Sequence, residues 1–175
     1  MQNSGYKQAN AGAPLAYSDD RVLKFYLPAL QYFDELPFRL LSAEFVAYAG
    51  DKTHHGKNYH LVFATWGSFA PNLQHDQYLL WINQETLLVE MCLYTVRDLL
   101  NWATGTIHFE DYREVQGVMF AFRQSVVLPR PENTAYPLEK NFYHRLLFEE
   151  VKFDAFDKQV LIIDASKDVG DFKKP

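Results

Sequence analysis

The chain has 175 residues, of which 48% are hydrophobic and 16% aromatic, and its formal net charge is −5. That length suits one domain with a sizeable core. Because broad nucleic-acid binding requires a basic face, the acidic balance argues against a nucleic-acid partner. The single cysteine, Cys92, excludes an intrachain disulfide. Its apolar neighbours predict a small buried side chain rather than a catalytic thiol.

The sequence shows no sign of a membrane span or a leader. No stretch approaches the roughly 20 apolar residues of a transmembrane helix, so we expect no transmembrane segment. The N-terminal residues lack a basic stretch followed by an apolar one, which argues against a signal peptide. This pattern favours either a cytoplasmic protein or one whose leader has been removed.

Composition divides the chain into three parts. Residues 1–17 are rich in Gln, Asn, Ala and Gly, which predicts a loose N-terminal arm. Residues 18–165 carry the apolar periodicity and are expected to form a single β-rich domain. The charged residues 166–175 are expected to form a frayed tail.

The first periodic segment predicts a helix. Ser18 is a suitable N-cap, and apolar residues then recur at near-helical spacing up to Phe33. Pro28 falls inside this pattern and should kink the helix or split it into two short ones. Pro37 should end the second piece near Glu35.

After the helix, apolar residues alternate with a period of two, which is typical of strands. This pattern predicts seven strands, at Ala43–Ala49, Asn58–Trp66, Gln77–Ile82, Leu87–Val96, Thr106–Val115, Val118–Leu128 and Phe142–Asp154. A further short strand is predicted at Phe156–Ala165. Turn chemistry predicts tight links at Asn83–Thr86 and Gln116–Gly117, whereas Gly50–Lys57 is typical of a polar loop.

The strand pattern predicts a mainly β (α+β) protein, with a curved antiparallel sheet or incomplete β-barrel and an N-terminal helical segment packed on it. Several strands are apolar on both faces, so both faces of the sheet should be covered. The helix can cover only part of one face. Sheet curvature, a partner chain or a bound apolar ligand would have to cover the rest.

The order of several motifs resembles that of a known family. These motifs are Tyr32–Phe38, Gly56–Trp66, Asp76–Leu88, Tyr94–Val96, Tyr112–Gly117, Arg123 and Val151–Asp154. In this order they are similar to an uncharacterised bacterial envelope family related to the outer-membrane lipoprotein-sorting proteins of the LolA/LolB type.

The resemblance implies an incomplete antiparallel β-barrel around an apolar cavity that is partly plugged by helices. Proteins of the LolA type carry lipoproteins by holding their acyl chains in that cavity. The resemblance therefore implies a location in the periplasm or cell envelope and an apolar or lipid-like ligand. It brings no catalytic residues with it.

A set of aromatic and aliphatic side chains is the candidate lining of an apolar cavity. Its members are Tyr59, Phe63, Tyr78, Leu80, Ile82, Phe120 and Phe122. The pattern favours ordinary core packing, and cavity lining is the alternative. Both interpretations remove these side chains from water, so the sequence alone does not separate them.

The histidines are the remaining candidates for chemistry. His54, His55 and His60 form the densest group and have the side chains that ligate zinc. Solvated loop histidines are the favoured interpretation, so we expect no metal and no cofactor. His75 and Asp76 suit an acid–base pair, but a turn at a strand entry explains them equally well. No phosphate-binding glycine loop, nucleophile elbow or paired cysteine motif is present in the sequence, and we expect no enzymatic activity.

These features predict a non-enzymatic protein that binds or carries an apolar or lipid-like ligand. The rival is an interaction module whose second apolar face meets another protein or a second copy of itself, which predicts a homodimer without ligand. A distant third alternative is a hydrolase or metal enzyme that uses the histidines.

Overall fold

A computed structural model of the chain describes residues 7–10, 13–16, 20–70, 72–97, 103–127, 138 and 142–153. Within these residues the protein is mainly β, as predicted. One helix is followed by seven antiparallel strands that form a single sheet. None of the described helices is long and apolar enough to cross a membrane.

The sheet is an open meander. Helix α1 spans Asp20–Arg39 and continues into a 3-10 turn at Leu40–Ser42. A two-stranded hairpin precedes it, made of β1 (Lys7–Asn10) and β2 (Ala13–Ala16). The large sheet contains β3 (Phe45–His54), β4 (Lys57–Thr65), β5 (Gln77–Asn83), β6 (Val89–Val96), β7 (Ala103–Val115), β8 (Val118–Val127) and β9 (His144–Leu147). These strands lie side by side in chain order, and in the described residues β3 and β9 are the two edges.

A short hairpin lies within the segment predicted as a loose N-terminal arm. β1 and β2 pair in antiparallel register, with Lys7 opposite Ala16 and Asn10 opposite Ala13. Composition did not predict this hairpin, because backbone pairing of two short strands requires no apolar alternation in their side chains. The loose arm itself stays a prediction. The other residues of the predicted arm and the predicted tail at 166–175 lie outside the described residues.

Helix α1 is longer than predicted. It runs without a break from Asp20 to Arg39. Of the kink or split predicted at Pro28, the split is therefore not found, and the helix does not end near Glu35. Pro37 removes one backbone hydrogen bond from the helix, at a cost of about 3 kcal/mol. Leu36 is fully buried against the sheet and Leu40 nearly so, and burial of two leucines offsets a cost of that size.

β3 is also longer than predicted, because the expected loop at Gly50–Lys57 is mostly strand. Gly50 has φ +103°, and the register of β3 against β4 shifts between Tyr48 and Gly50. Such a bulge lets the strand bend while pairing continues to His54. The turn that remains is the two-residue link between β3 and β4.

The last strand is shorter than predicted. β9 pairs with β8 over His144–Leu147 only. One further backbone bond flanks it at each end, from Tyr143 N to Val126 O at 2.7 Å and from Phe148 N to Phe122 O at 3.0 Å. Beyond β9, apolar residues of the predicted strand pack on a neighbouring aromatic ring instead of continuing the strand. Phe148 and Phe153 both pack on the ring of Phe120, with ring centroids 5.1 and 6.2 Å away. The strand predicted at Phe156–Ala165 lies outside the described residues.

Side chains are buried on both faces of the sheet. On the helix side, Phe33 of α1 packs on Tyr94 with ring centroids 5.0 Å apart, and the cluster below it includes Ile107 and Cys92. Cys92 is fully buried, and burial raises the pKa of its thiol, which fits the predicted inert side chain. On the opposite face, Trp81 anchors a second buried cluster.

Candidate functional site

An apolar cavity lies between the C-terminal half of α1 and the sheet. Its volume is about 360 Å³, within the range of small-molecule sites. α1 contributes Asp34, Pro37 and Phe38, and the link between β5 and β6 contributes Leu87 and Leu88. The other lining residues lie on β6, β7, β8 and the turn between the last two, namely Val89, Phe109, Tyr112, Gly117, Val118, Met119, Phe120, Ala121 and Gln124. We call this space the helix-side cavity.

A second cavity of about 400 Å³ adjoins the first. Both are lined by Asp34, Phe38 and Phe120, and the second also reaches Arg39 and Phe153. Phe38, on the wall that they share, is 45% exposed. The two cavities therefore form one largely apolar groove along α1, open to solvent at Phe38, which we call the helix-side groove.

Gln124 is a buried polar residue in the wall of the helix-side cavity. It is 1% exposed, and its Oε1 has no hydrogen-bond partner. Its register opposite Phe109 of β7 and Leu146 of β9 points the side chain to the face that α1 covers. A buried carbonyl without a donor costs about 1–3 kcal/mol. A donor group in the cavity would remove that cost.

Asp34 is the second polar group in the same wall. Its Oδ1 is buried and has no hydrogen-bond partner. Burial, with a smaller contribution from the neighbouring Glu35, raises the pKa of Asp34 to about 6. The carboxyl group is thus ionised at pH 7 in an environment that disfavours its charge.

The rim of the cavity holds a strained residue. Leu87 has φ +58° and is 69% exposed. A left-handed conformation costs a non-glycine residue about 1–2 kcal/mol. The preceding turn imposes it, because Asn83 Oδ1 accepts bonds from the backbone N–H groups of Glu85 and Thr86 at 2.8 and 3.2 Å. The turn predicted at Asn83–Thr86 is thereby confirmed.

The opposite face of the sheet carries a polar cavity of about 330 Å³ that Glu90 lines. Lys57 Nζ lies 2.8 Å from Glu90 Oε2, and the hydroxyl of Tyr59 donates to the same oxygen at 2.8 Å. Asn83 Nδ2 donates to Glu90 Oε1 at 2.8 Å. Burial alone would raise the pKa of Glu90, but these hydrogen bonds outweigh it and hold the pKa below its usual value.

His108 lies in the same polar cavity and is 3% exposed. Burial, with a smaller contribution from His54, lowers its pKa to about 4. A general acid or base works best with a pKa near the working pH. His108 and Glu90 are both shifted away from neutrality, so this cluster has the properties of a structural polar network.

The three histidines that the sequence singles out do not come together. His54 and His55 are neighbours at the turn, with ring centroids 4.3 Å apart, and His54 also packs on Trp81. His60 points to the helix-side face, where its Nδ1 lies 2.7 Å from Asp51 Oδ1. Among the described residues, no group of three or more His, Cys, Asp or Glu side chains is placed to hold a metal ion.

His75 and Asp76 have separate surroundings. Asp76 Oδ1 accepts bonds from the hydroxyl of Thr95 at 3.0 Å and from the backbone N–H of Arg97 at 2.8 Å. His75 is exposed beside Gly67. Asp76 therefore ties the entry of β5 to the end of β6, which agrees with the interpretation as a strand-entry turn.

The structure divides the predicted cavity lining between two faces. Phe120 lines the helix-side groove. Tyr78, Leu80 and Ile82 pack under α1 in the core cluster. Tyr59 packs with Trp81 on the opposite face, Phe63 contacts Phe69, and Phe122 is buried beside Arg113. Of the seven residues, the six other than Phe120 are not among those that line the groove. Their role in binding a ligand stays a prediction.

Asp34 and Gln124 are not among the residues that the sequence pattern singled out. A signal was present for Gln124, which occupies one position of the apolar stripe that contains Phe120, Phe122 and Val126 on β8. Asp34 likewise follows Phe33 inside the periodic apolar segment of α1. A polar residue within an apolar stripe indicates either an internal hydrogen bond or a site, and only the three-dimensional neighbours separate the two.

Comparison with known proteins found no matching family model, curated protein or solved structure. The functional interpretation therefore rests on the geometry of the helix-side groove. That geometry is a largely apolar space beside α1 with two buried acceptor atoms, Asp34 Oδ1 and Gln124 Oε1, that have no donor.

Proposed function

We propose that this protein binds or carries an apolar or lipid-like ligand in the helix-side groove and performs no catalysis. The observation that supports this most directly is the helix-side cavity itself. Most of its lining side chains are apolar, yet it contains a fully buried carbonyl, that of Gln124, without a donor. The resemblance of the sequence to envelope carriers favours a location in the periplasm or cell envelope.

The favourable free energy of binding at such a site comes from the burial of apolar surface. Each methylene group removed from water contributes about 0.8 kcal/mol, so a chain of about 14 carbons would gain on the order of 10 kcal/mol before ordering costs. The two cavities of about 360 and 400 Å³ lie within the size range of ligand sites. Phe38 at the exposed boundary gives the ligand a point of entry.

The first test is binding of Nile red, an apolar dye whose fluorescence rises in apolar surroundings. The wild type should bind it with saturation. Ala121→Leu should weaken binding several-fold, because Ala121 is 4% exposed and its side chain lies in the cavity wall. Leu73→Phe is the matched control, since Leu73 is 64% exposed and outside the groove. Equal binding by all three proteins, each checked for folding by circular dichroism, would refute the groove as the site.

The rival is an interaction module, and one observation favours it. β3 is an edge strand in the described sheet and carries the exposed side chains of Val46 and Tyr48. Edges of this kind can pair with a second chain. Native mass spectrometry without detergent separates the two proposals. A monomer with extra mass that organic solvent releases supports the carrier, whereas a dimer without ligand supports the interaction module.

A further inference from the structure

The described lining of the helix-side cavity includes buried acceptor atoms and no cationic side chain. Its two buried polar atoms without partners, Asp34 Oδ1 and Gln124 Oε1, are both oxygen acceptors. No Lys, Arg or His is among the described residues that line it. Pro37, in the same wall, has no N–H group to offer either the cavity or the carbonyl of the preceding helical turn.

The cationic side chain in the described lining of the adjoining cavity is already paired. Arg39 lines the adjoining cavity, and its Nε donates to Glu35 Oε2 at 2.5 Å. Its guanidinium also lies over the ring of Tyr32, 5.1 Å from the centroid. Glu35 is in turn an additional negative charge beside Asp34. The field at this end of the groove therefore favours a positive group in the ligand.

We infer that the helix-side cavity selects an amphiphile whose head is a hydrogen-bond-donating cation, with a primary alkylammonium as the simplest member. This inference rests on the proposed function, because it names the ligand class of the same groove. The ammonium group donates to Asp34 Oδ1 and Gln124 Oε1, and the apolar tail occupies the space between α1 and the β7–β8 hairpin. An ammonium has three donors, enough for both oxygens and a water.

The same geometry disfavours other common head groups. A carboxylate or phosphate would place its negative charge against the Asp34 carboxylate, where like charge costs free energy. A neutral alcohol can donate to one of the two oxygens but gains no charge interaction. The expected order of affinity is amine, then alcohol, then acid. The raised pKa of Asp34 agrees with this order, because a bound cation would stabilise its ionised form.

The test compares dodecylamine, dodecanol and dodecanoate as competitors of bound Nile red at pH 7.5. The wild type should prefer the amine over the alcohol by about tenfold or more, as expected for a charge-assisted hydrogen bond. Asp34→Asn keeps the shape of the side chain and should lose most of that preference while it still binds the alcohol. Glu150→Gln is the matched control and should keep the preference, because the Glu150 side chain is 72% exposed and lines neither cavity of the groove.

Gln124→Leu tests the contribution of Gln124 separately from that of Asp34. It removes the acceptor and should weaken amine and alcohol alike relative to Nile red. The outcomes distinguish the two proposals. If Nile red does not bind, or if Ala121→Leu leaves its affinity unchanged, the proposed function is refuted. If Nile red binds in the groove and the three competitors displace it equally, or Asp34→Asn leaves the amine preference intact, the groove remains a binding site and the inference about its head group is overturned.

Discussion

Tyr94 of β6 lies directly over Gly105 of β7. The two residues are paired in register, and a Cβ atom at position 105 would lie 2.5 Å from the hydroxyl oxygen of Tyr94. Tyr94 is 6% exposed and packs on Phe33 of α1, with ring centroids 5.0 Å apart. The absence of a side chain at Gly105 therefore gives the tyrosine the room it needs to join the sheet to the helix.

Gly105→Ala is accordingly expected to destabilise the fold. The added methyl group overlaps Tyr94, and overpacking of this kind typically costs about 1–3 kcal/mol. The free energy of unfolding from urea denaturation measures the effect. In a Tyr94→Leu background the shorter side chain removes the hydroxyl, so the same Gly105→Ala substitution should cost much less. An equal cost in both backgrounds would show that space under Tyr94 is not the reason for the glycine.

The polar network around Glu90 provides a second prediction. Glu90→Ala should lower the free energy of unfolding by about 2 kcal/mol or more, because Tyr59 and Asn83 both lose a charged acceptor and are almost fully buried. Lys57→Ala is the matched control. Its side chain is 55% exposed, so its loss should cost less than about 1 kcal/mol. Urea denaturation at pH 7.5 compares the two, and a larger cost for Lys57→Ala would contradict the network as described.

Asp34 predicts a pH dependence of stability. Its pKa in the fold is about 6, above the usual value of 3.8, because burial disfavours the charge. The folded state therefore binds this proton more tightly than the unfolded state. The resulting contribution to stability is present below pH 4 and is lost as the pH rises through 6.

Asp34→Asn removes that dependence. The variant and the wild type should be close in stability near pH 4, whereas above pH 6.5 the variant should be more stable by up to about 3 kcal/mol. Urea denaturation across pH 4 to 8 measures the difference. Glu35→Gln should show no such gain, because the pKa of Glu35 is lowered, chiefly by its hydrogen bond from Arg39. A difference between Asp34→Asn and wild type that is constant with pH would argue against a buried ionised carboxylate.

Parts of the fold that depend on neighbouring residues could be predicted from the sequence. Parts that depend on packing between distant residues could not. The turn at Gln116–Gly117 is confirmed, because both residues adopt positive φ, +50° and +83°, which the glycine tolerates. The end of α1 was predicted wrongly, because Pro37 is a strong local signal whose cost is offset by burial against distant strands. β3 was predicted too short because a bulge at Gly50 lets pairing continue through a polar segment.

The candidate site was harder to predict for the same reason. Sequence periodicity identifies which face of an element is apolar, but not which apolar faces leave a space between them. The helix-side cavity exists because α1 crosses the β7–β8 hairpin without filling the volume beside Phe38 and Ala121. Whether Gln124 finds a hydrogen-bond partner depends on α1, which is distant from it in sequence.

The final prediction concerns the turn between β3 and β4. It tests whether His55 acts only as a turn residue or also as a metal ligand. His55 and Gly56 have φ +46° and +75°, the pattern of a two-residue hairpin turn that favours Asn followed by Gly. His55→Asn should therefore leave stability unchanged or raise it by a few tenths of a kcal/mol, whereas Gly56→Ala should cost about 1 kcal/mol. A Cβ at position 56 meets no atom within 4 Å, so backbone conformation alone sets that cost. Urea denaturation with and without added zinc measures both effects. Because His60 points to the other face of the sheet, zinc should change neither result, and zinc stabilisation of the wild type that His55→Asn abolishes would instead establish a metal site at this turn.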